Sequence, residues 1–168
     1  AGIKDLGCYQ TYALRTVNYK DRLKFIEYTL KKNEGNNGLV VIDGIADLVS
    51  DVNNLEESNL CVQKIMELSA RFDCHIITVI HSNFGTDKAT GHLGSFLYKK
   101  CETAISLEAN TVNKEWVTAS CKISRGYAFD TFSFSINKFG LPFVVGEIYD
   151  PLENFMQKQK THKELPLY

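Results

Sequence analysis

The sequence predicts an α/β domain in which a partial parallel sheet is followed by antiparallel hairpin strands. Three observations carry this. Short apolar runs ending in polar residues lie at Leu39–Asp43 and His75–Ile80. Segments with helical apolar spacing precede and separate them, and from Thr103 onward the apolar period falls to two. A run too short for a helix, rich in β-branched residues and closed by Gly44, reads as a strand buried on both faces of a parallel sheet.

In chain order, Tyr12–Val17 is a strand candidate. From Tyr19, Leu23, Phe25, Ile26 and Leu30 recur at helical spacing, with Asp21 in the first turn and Lys31 and Lys32 in the last, a polarity that complements the helix dipole. Asn33–Gly38 is a turn cluster before the Leu39–Asp43 strand. Ile45–Val49 is a short apolar turn, and Leu60, Ile65, Leu68 and Phe72 mark an amphipathic helix over Glu56–Phe72. The second strand runs into His81-Ser82-Asn83. Phe84–Gly94 is polar and glycine-bearing, so it reads as a loop, with a short helix over Ser95–Lys100. Thr103–Leu107, Trp116–Lys122 and Phe132–Ile136 are strands, joined at Ala109–Lys114 and Arg125–Asp130, and Lys138–Pro142 is a turn. Residues 1–150 are expected to form one domain and 151–168 a polar carboxyl-terminal tail.

Composition bounds the function. The 168 residues are 44% apolar with a formal charge of −1, enough for a real core and not the cationic face of a dedicated nucleic-acid module. The five cysteines are odd in number and form no C-x-x-C pair. They read as reduced thiols of a cytoplasmic protein rather than a metal or disulfide framework. No leader-like segment and no apolar run of about 18 residues occurs, so neither secretion nor a membrane partner is expected.

The strand ends are the candidate site. A carboxylate at the carboxyl end of a parallel strand sits where open α/β sheets place their ligands, and Asp43 is so placed. In nucleotide-hydrolysing proteins that position holds Mg²⁺ through a water, as the Walker B aspartate. The same position is also common in strands with no ligand. His81 and Asn83, on the adjacent strand end, are placed to hydrogen-bond a γ-phosphate or the attacking water; the plainer account of His81 is a satisfied strand-end histidine. Asp47 and Asp51 read as solvated loop carboxylates. Lys122 and Arg125 near a hairpin are either a solvated pair or a trans-acting finger on a neighbour's phosphate. His75, His92 and His162 lack metal-ligand spacing, and no nucleophile elbow occurs. Lys88, Lys99 and Lys100 are candidates for a small phosphate-binding patch.

Taken in order, Val40-Val41-Ile42-Asp43-Gly44-Ile45-Ala46-Asp47-Leu48-Val49, then Asp51-x-Asn53, a helix, and Ile76 to His81-Ser82-Asn83 resemble the second half of RecA-like ATPases of the RepA/DnaB hexameric helicase group. Gly91-His92-Leu93-Gly94-Ser95 is similar to that group's G-x-x-G-S loop, and Lys122-x-x-Arg125-Gly126 with Phe132-x-Phe134 and Gly140-Leu141-Pro142 to its closing hairpin. The wording is also similar to ATPase-like proteins of mobilizable transposons.

The resemblance implies a partial RecA-like P-loop NTPase fold. It implies ATP and Mg²⁺ bound between subunits, self-association into a ring or filament, and DNA as partner, with other mobilisation or replication proteins possible. Residue by residue, Asp43 takes the metal position, and His81 and Asn83 the sensor strand end. Lys122 and Arg125 take the finger, and Lys88, Gly91, His92, Gly94 and Ser95 the nucleic-acid-facing loop. Two departures matter: no G-x-x-x-x-G-K-[ST] phosphate loop occurs in these residues, nor a strand to carry it, and the acidic residue that activates water in this group, which usually follows that loop, has no counterpart in them. The polypeptide is therefore expected to bind ATP weakly or not at all and to leave a gap between the His81 strand and Thr103–Leu107, closed by direct pairing or a dimer in preference to a segment of the first ten residues or the tail. The alternatives are a complete, non-hydrolysing assembly or DNA-binding domain of a mobile element, and an unrelated α/β enzyme using Asp43 and His81.

Overall fold

The structure, a computed structural model, describes residues 8–82 and 89–146. The expected tail, Asn83 and Lys88 lie outside them. The chain divides into two compact units at Cys101/Glu102.

In the first unit, α1 (Tyr19–Lys32) leads into β1 (Leu39–Asp43), a 3₁₀ turn (Ile45–Leu48), α2 (Leu55–Arg71), β2 (His75–Val79) and α3 (Gly91–Lys100). Asn18 caps α1, its side chain accepting from the Lys20 amide at 3.0 Å. Asn54 caps α2 in the same way through the Glu57 amide. In α2 the buried positions are Ser58, Cys61, Val62, Ile65 and Leu68, a stripe with helical period. That stripe packs with Ile42 of β1, Ile45, Leu48 and Val49 of the turn, and Leu93 of α3, with Leu23 and Ile26 of α1 at the edge. Leu30, Leu68, Phe72 and Cys74 form a second cluster. Lys64 of α2 bonds Glu67 and Glu27 of α1, both at 3.1 Å, and Arg71 reaches Glu27 at 3.0 Å. The Glu67 bond, then the Glu27 bond, raise the Lys64 pKa.

β1 and β2 pair in parallel, Leu39 with His75 through to Asp43 with Val79. The expectation that these strands are buried on both faces is not met. Val40 and Ile42 turn toward the helices, whereas Leu39 and Val41, and Ile77 and Val79 beside them, are exposed. Among the described residues of this unit the helices cover one face only, so an apolar run that would suit a doubly covered strand is used on one side.

The second unit is a four-stranded antiparallel meander in the order β3-β4-β5-β6: β3 (Thr103–Ala109), β4 (Trp116–Ser124), β5 (Phe132–Ile136) and β6 (Pro142–Val145). The expected hairpin connections are present. Asn137 builds the last turn, its Oδ1 accepting from the Phe139 amide at 2.9 Å and the Leu141 amide at 3.1 Å, with Gly140 at a φ of +79°.

Four local expectations are corrected. Tyr12–Val17 is not a strand; its end is turned into the start of α1, with the Val17 amide donating to the Leu14 carbonyl. α3 begins at Gly91 rather than Ser95, because Leu93 is fully buried and the pull of the core outweighs two glycines. Pro142–Val145 is a fourth strand where only a turn was expected; at a sheet edge, proline's missing N–H costs no ladder bond. Finally, β2 and β3 do not pair directly; they belong to separate sheets.

Candidate functional site

The strand ends hold the predicted residues together. Asp43 closes β1 opposite Val79, and His81 follows Val79 by two residues, so both stand at the carboxyl edge of one parallel pair. Both are exposed. Gly44, after Asp43, sits so near β2 that a Cβ there would lie 3.3 Å from the Val79 carbonyl oxygen.

The segment after β1 is tied to α1. Arg22 Nη1 donates to the Asp47 carbonyl at 2.8 Å and lies 3.6 Å from its carboxylate. Arg22 Nε donates to the carbonyls of Leu14 at 3.1 Å and Val17 at 3.0 Å. Further along, Ser50 donates to Glu57 through both its hydroxyl, at 2.6 Å, and its amide, at 3.0 Å. These bonds, the hydroxyl first and the Ser50 amide next, lower the Glu57 pKa. Asp51 is occupied locally, its Oδ1 accepting from the Asn53 amide at 2.8 Å. Both loop carboxylates thus have structural partners.

After β2, Ser82 and Ala89 pair in an isolated antiparallel bridge. Thr90 donates twice to the His81 carbonyl, from its amide at 3.2 Å and its hydroxyl at 2.7 Å. α3 then begins under steric constraint. Gly91 has a φ of +67°, and a Cβ there would lie 2.6 Å from the Val52 carbonyl oxygen. A Cβ on Gly94 would meet the Ala89 Cβ at 2.5 Å. The glycines of the G-x-x-G-S motif therefore serve close packing within this chain, and Leu93 and Gly94 are buried. His92 and Ser95 are exposed, though Ser95 Oγ donates back to the Gly91 carbonyl at 3.2 Å. Of the five residues expected to face nucleic acid, these two offer accessible side chains, while Lys88 lies outside the described residues.

Lys122 and Arg125 belong to the second unit. Lys122 lies 3.5 Å from Glu108, in the register irregularity where β4 carries one residue more than β3. Arg125 follows β4, its Nε 4.0 Å from Glu102 and its amide bonded to the Glu102 carbonyl at 3.0 Å. Arg22 and Thr90, which hold the strand-end segments in place, were not singled out from sequence. Neither carries a motif; each acts through backbone carbonyls that only the fold brings near.

Among the described residues, no group of three or more His, Cys, Asp and Glu side chains is clustered to hold a metal, and no helix is long and apolar enough to cross a membrane. No protein-family model matches the chain, and no curated protein matches it. What the arrangement offers chemically is an exposed carboxylate and an imidazole on one sheet edge, with the His81 carbonyl bonded to Thr90 at the start of α3.

Proposed function

We propose that the chain is the carboxyl-terminal portion of a RecA-like ATPase of the RepA/DnaB group, in a protein that couples ATP hydrolysis to DNA handling in replication, mobilisation or transposition. The observation that carries this reading is the parallel pairing of β1 and β2, which brings Asp43 and His81 to one sheet edge. Asp43, exposed there, suits a water-mediated Mg²⁺ ligand, and Mg²⁺ supplies charge neutralisation on the transferring phosphate. His81 suits a hydrogen bond to the phosphate or the attacking water. Thr90 carries a displacement of that strand end into α3 through its two bonds to the His81 carbonyl.

The test is direct. Codons upstream of Ala1 should encode a strand followed by G-x-x-x-x-G-K-[ST], and the polypeptide that includes them should hydrolyse Mg·ATP. Asp43→Asn should reduce that turnover to background. Upstream codons without such a loop, or full activity in the variant, would remove the reading.

The lack of a phosphate-loop motif in the 168 residues also favours a second reading, a non-hydrolysing assembly or DNA-binding domain. Fluorescence anisotropy with labelled single-stranded DNA, with and without Mg·ATP, separates the two. Binding indifferent to nucleotide in the upstream-extended protein supports the second.

A further inference from the structure

We infer that the apolar face of the β3–β6 sheet packs against the same face of a second copy of the chain, as a two-fold sandwich. This does not rest on the ATPase reading, and it differs from the head-to-tail contacts of a ring.

The face is set by register. Leu107 pairs with Ala119 and Ala119 with Phe132; Val117 pairs with Phe134 and Phe134 with Val144. Paired residues share a face, and alternation adds Ile105 and Ile136, so no charged residue lies on it. The opposite face of β3, β4 and β5 is hydroxyl-rich and already bonded: Ser106 to Glu108 at 2.6 Å, and Thr118 to Ser133 at 3.1 Å. An antiparallel sheet of this pattern buries its apolar side and solvates its polar one. Among the described residues of this unit the apolar side is open, with Ile105, Leu107, Phe132, Ile136 and Val144 between 43% and 62% exposed.

Width excludes a single helix as the occupant. Four strands about 4.8 Å apart span about 19 Å, whereas a helix is about 10–12 Å across, so one helix leaves much of the face uncovered. A second four-stranded sheet covers it in full, with strands crossing at about 30° and no charge brought inside. A lipid surface is disfavoured because the nearby cations are already paired, Lys122 with Glu108 and Arg125 with Glu102. The five exposed side chains leave on the order of 400 Å² open on each copy, within the roughly 300–600 Å² of the largest patch on a typical monomer, a patch that is often functional. With their half-buried neighbours, the two faces bury about 1,000 Å², the lower bound for a specific contact.

Sedimentation equilibrium of the 168-residue chain from about 1 to 300 µM tests this. The expected result is an average mass rising from 19.0 kDa toward twice that value. Leu107→Lys should weaken association at least about tenfold, since a charge would be buried without a partner. Ser106→Lys, on the polar face, should leave it unchanged. Circular dichroism confirms that each variant folds, and Ile136→Lys replaces any Leu107 variant that does not. A monomer at every concentration overturns the inference, whether the face is then found covered within the chain or bound to vesicles. Association that Leu107→Lys leaves intact overturns it as well.

Discussion

Arg22 of α1 donates to the carbonyl of Asp47 at 2.8 Å, just past the end of the strand that closes in Asp43. The same guanidinium holds the carbonyls of Leu14 and Val17, so one planar fork fixes the chain entering α1 and the turn leaving β1. The Arg22 side chain is only 17% exposed. Arg22→Lys should therefore destabilise the protein by about 2–3 kcal/mol, because an ammonium cannot meet three carbonyls in fixed directions and charge-assisted bonds of this kind contribute about 1.5–3 kcal/mol. Urea unfolding measures it. A loss below about 0.5 kcal/mol, the ordinary cost of a surface change, would show that the clip is not used.

The glycines at the start of α3 should tolerate no side chain. Gly94→Ala puts a methyl 2.5 Å from the Ala89 Cβ and 2.6 Å from its carbonyl carbon, which forces the helix off Ala89, the bridge partner of Ser82. Gly91→Ala adds a positive φ to a 2.6 Å clash with the Val52 oxygen. Overpacking and strain of this kind cost about 1–3 kcal/mol each. Gly126→Ala, where a Cβ meets nothing within 4 Å, should be near neutral. Thermal unfolding of the three variants checks the ranking, and equal midpoints would contradict it.

Periodicity made much of this fold legible before any coordinates. The Leu23/Ile26/Leu30 spacing and the α2 stripe marked both long helices, and the Phe132-Ser133-Phe134-Ser135 alternation marked β5. It misled where a local signal competed with the core. Gly91 and Gly94 read as loop, yet the buried Leu93 makes them helical and close contacts explain why they are glycine. Leu39 and Val41 read as doubly buried, yet strand composition does not report which face finds a partner. Of the candidate site, the placement of Asp43 and His81 followed from two apolar runs with polar ends. Arg22 and Thr90 were invisible, since their hydrogen bonds go to backbone carbonyls, which carry no residue identity.

For Arg125, the surroundings separate a rate effect from a stability effect. Its contact with Glu102 is long, 4.0 Å, and both side chains are more than half exposed. Such a pair contributes at most about 1 kcal/mol. In the upstream-extended protein, Arg125→Ala should leave the unfolding midpoint and nucleotide affinity nearly unchanged while DNA-stimulated hydrolysis falls by about 10³-fold or more, the scale of a lost finger. Unchanged turnover would return Arg125 to a solvated pair with Glu102.

Cys61 offers a pH test of the α1–α2 packing. Its thiol is 5% exposed, and burial first, with the Glu57 charge adding to it, pushes the pKa up to about 11 from 9.0. At pH 8 only about one molecule in a thousand carries the thiolate, against about one in ten for an unperturbed thiol. A disulfide reagent should therefore modify exposed Cys8 at least about 100-fold faster than Cys61 in the folded protein, and urea should abolish the difference. The linkage has a definite sign. The folded-state pKa lies above the unfolded one, so the stabilisation is complete below pH 9 and is lost as pH rises toward 11, by about 2–3 kcal/mol. Cys74, buried beside Phe72, shifts in the same direction through its own burial. Comparing Cys61→Ala with wild type across pH 7 to 10.5 removes the common background of lysines and tyrosines. The wild type should lose more stability than the variant over that range, and parallel curves would mean that Cys61 reaches water in the folded state.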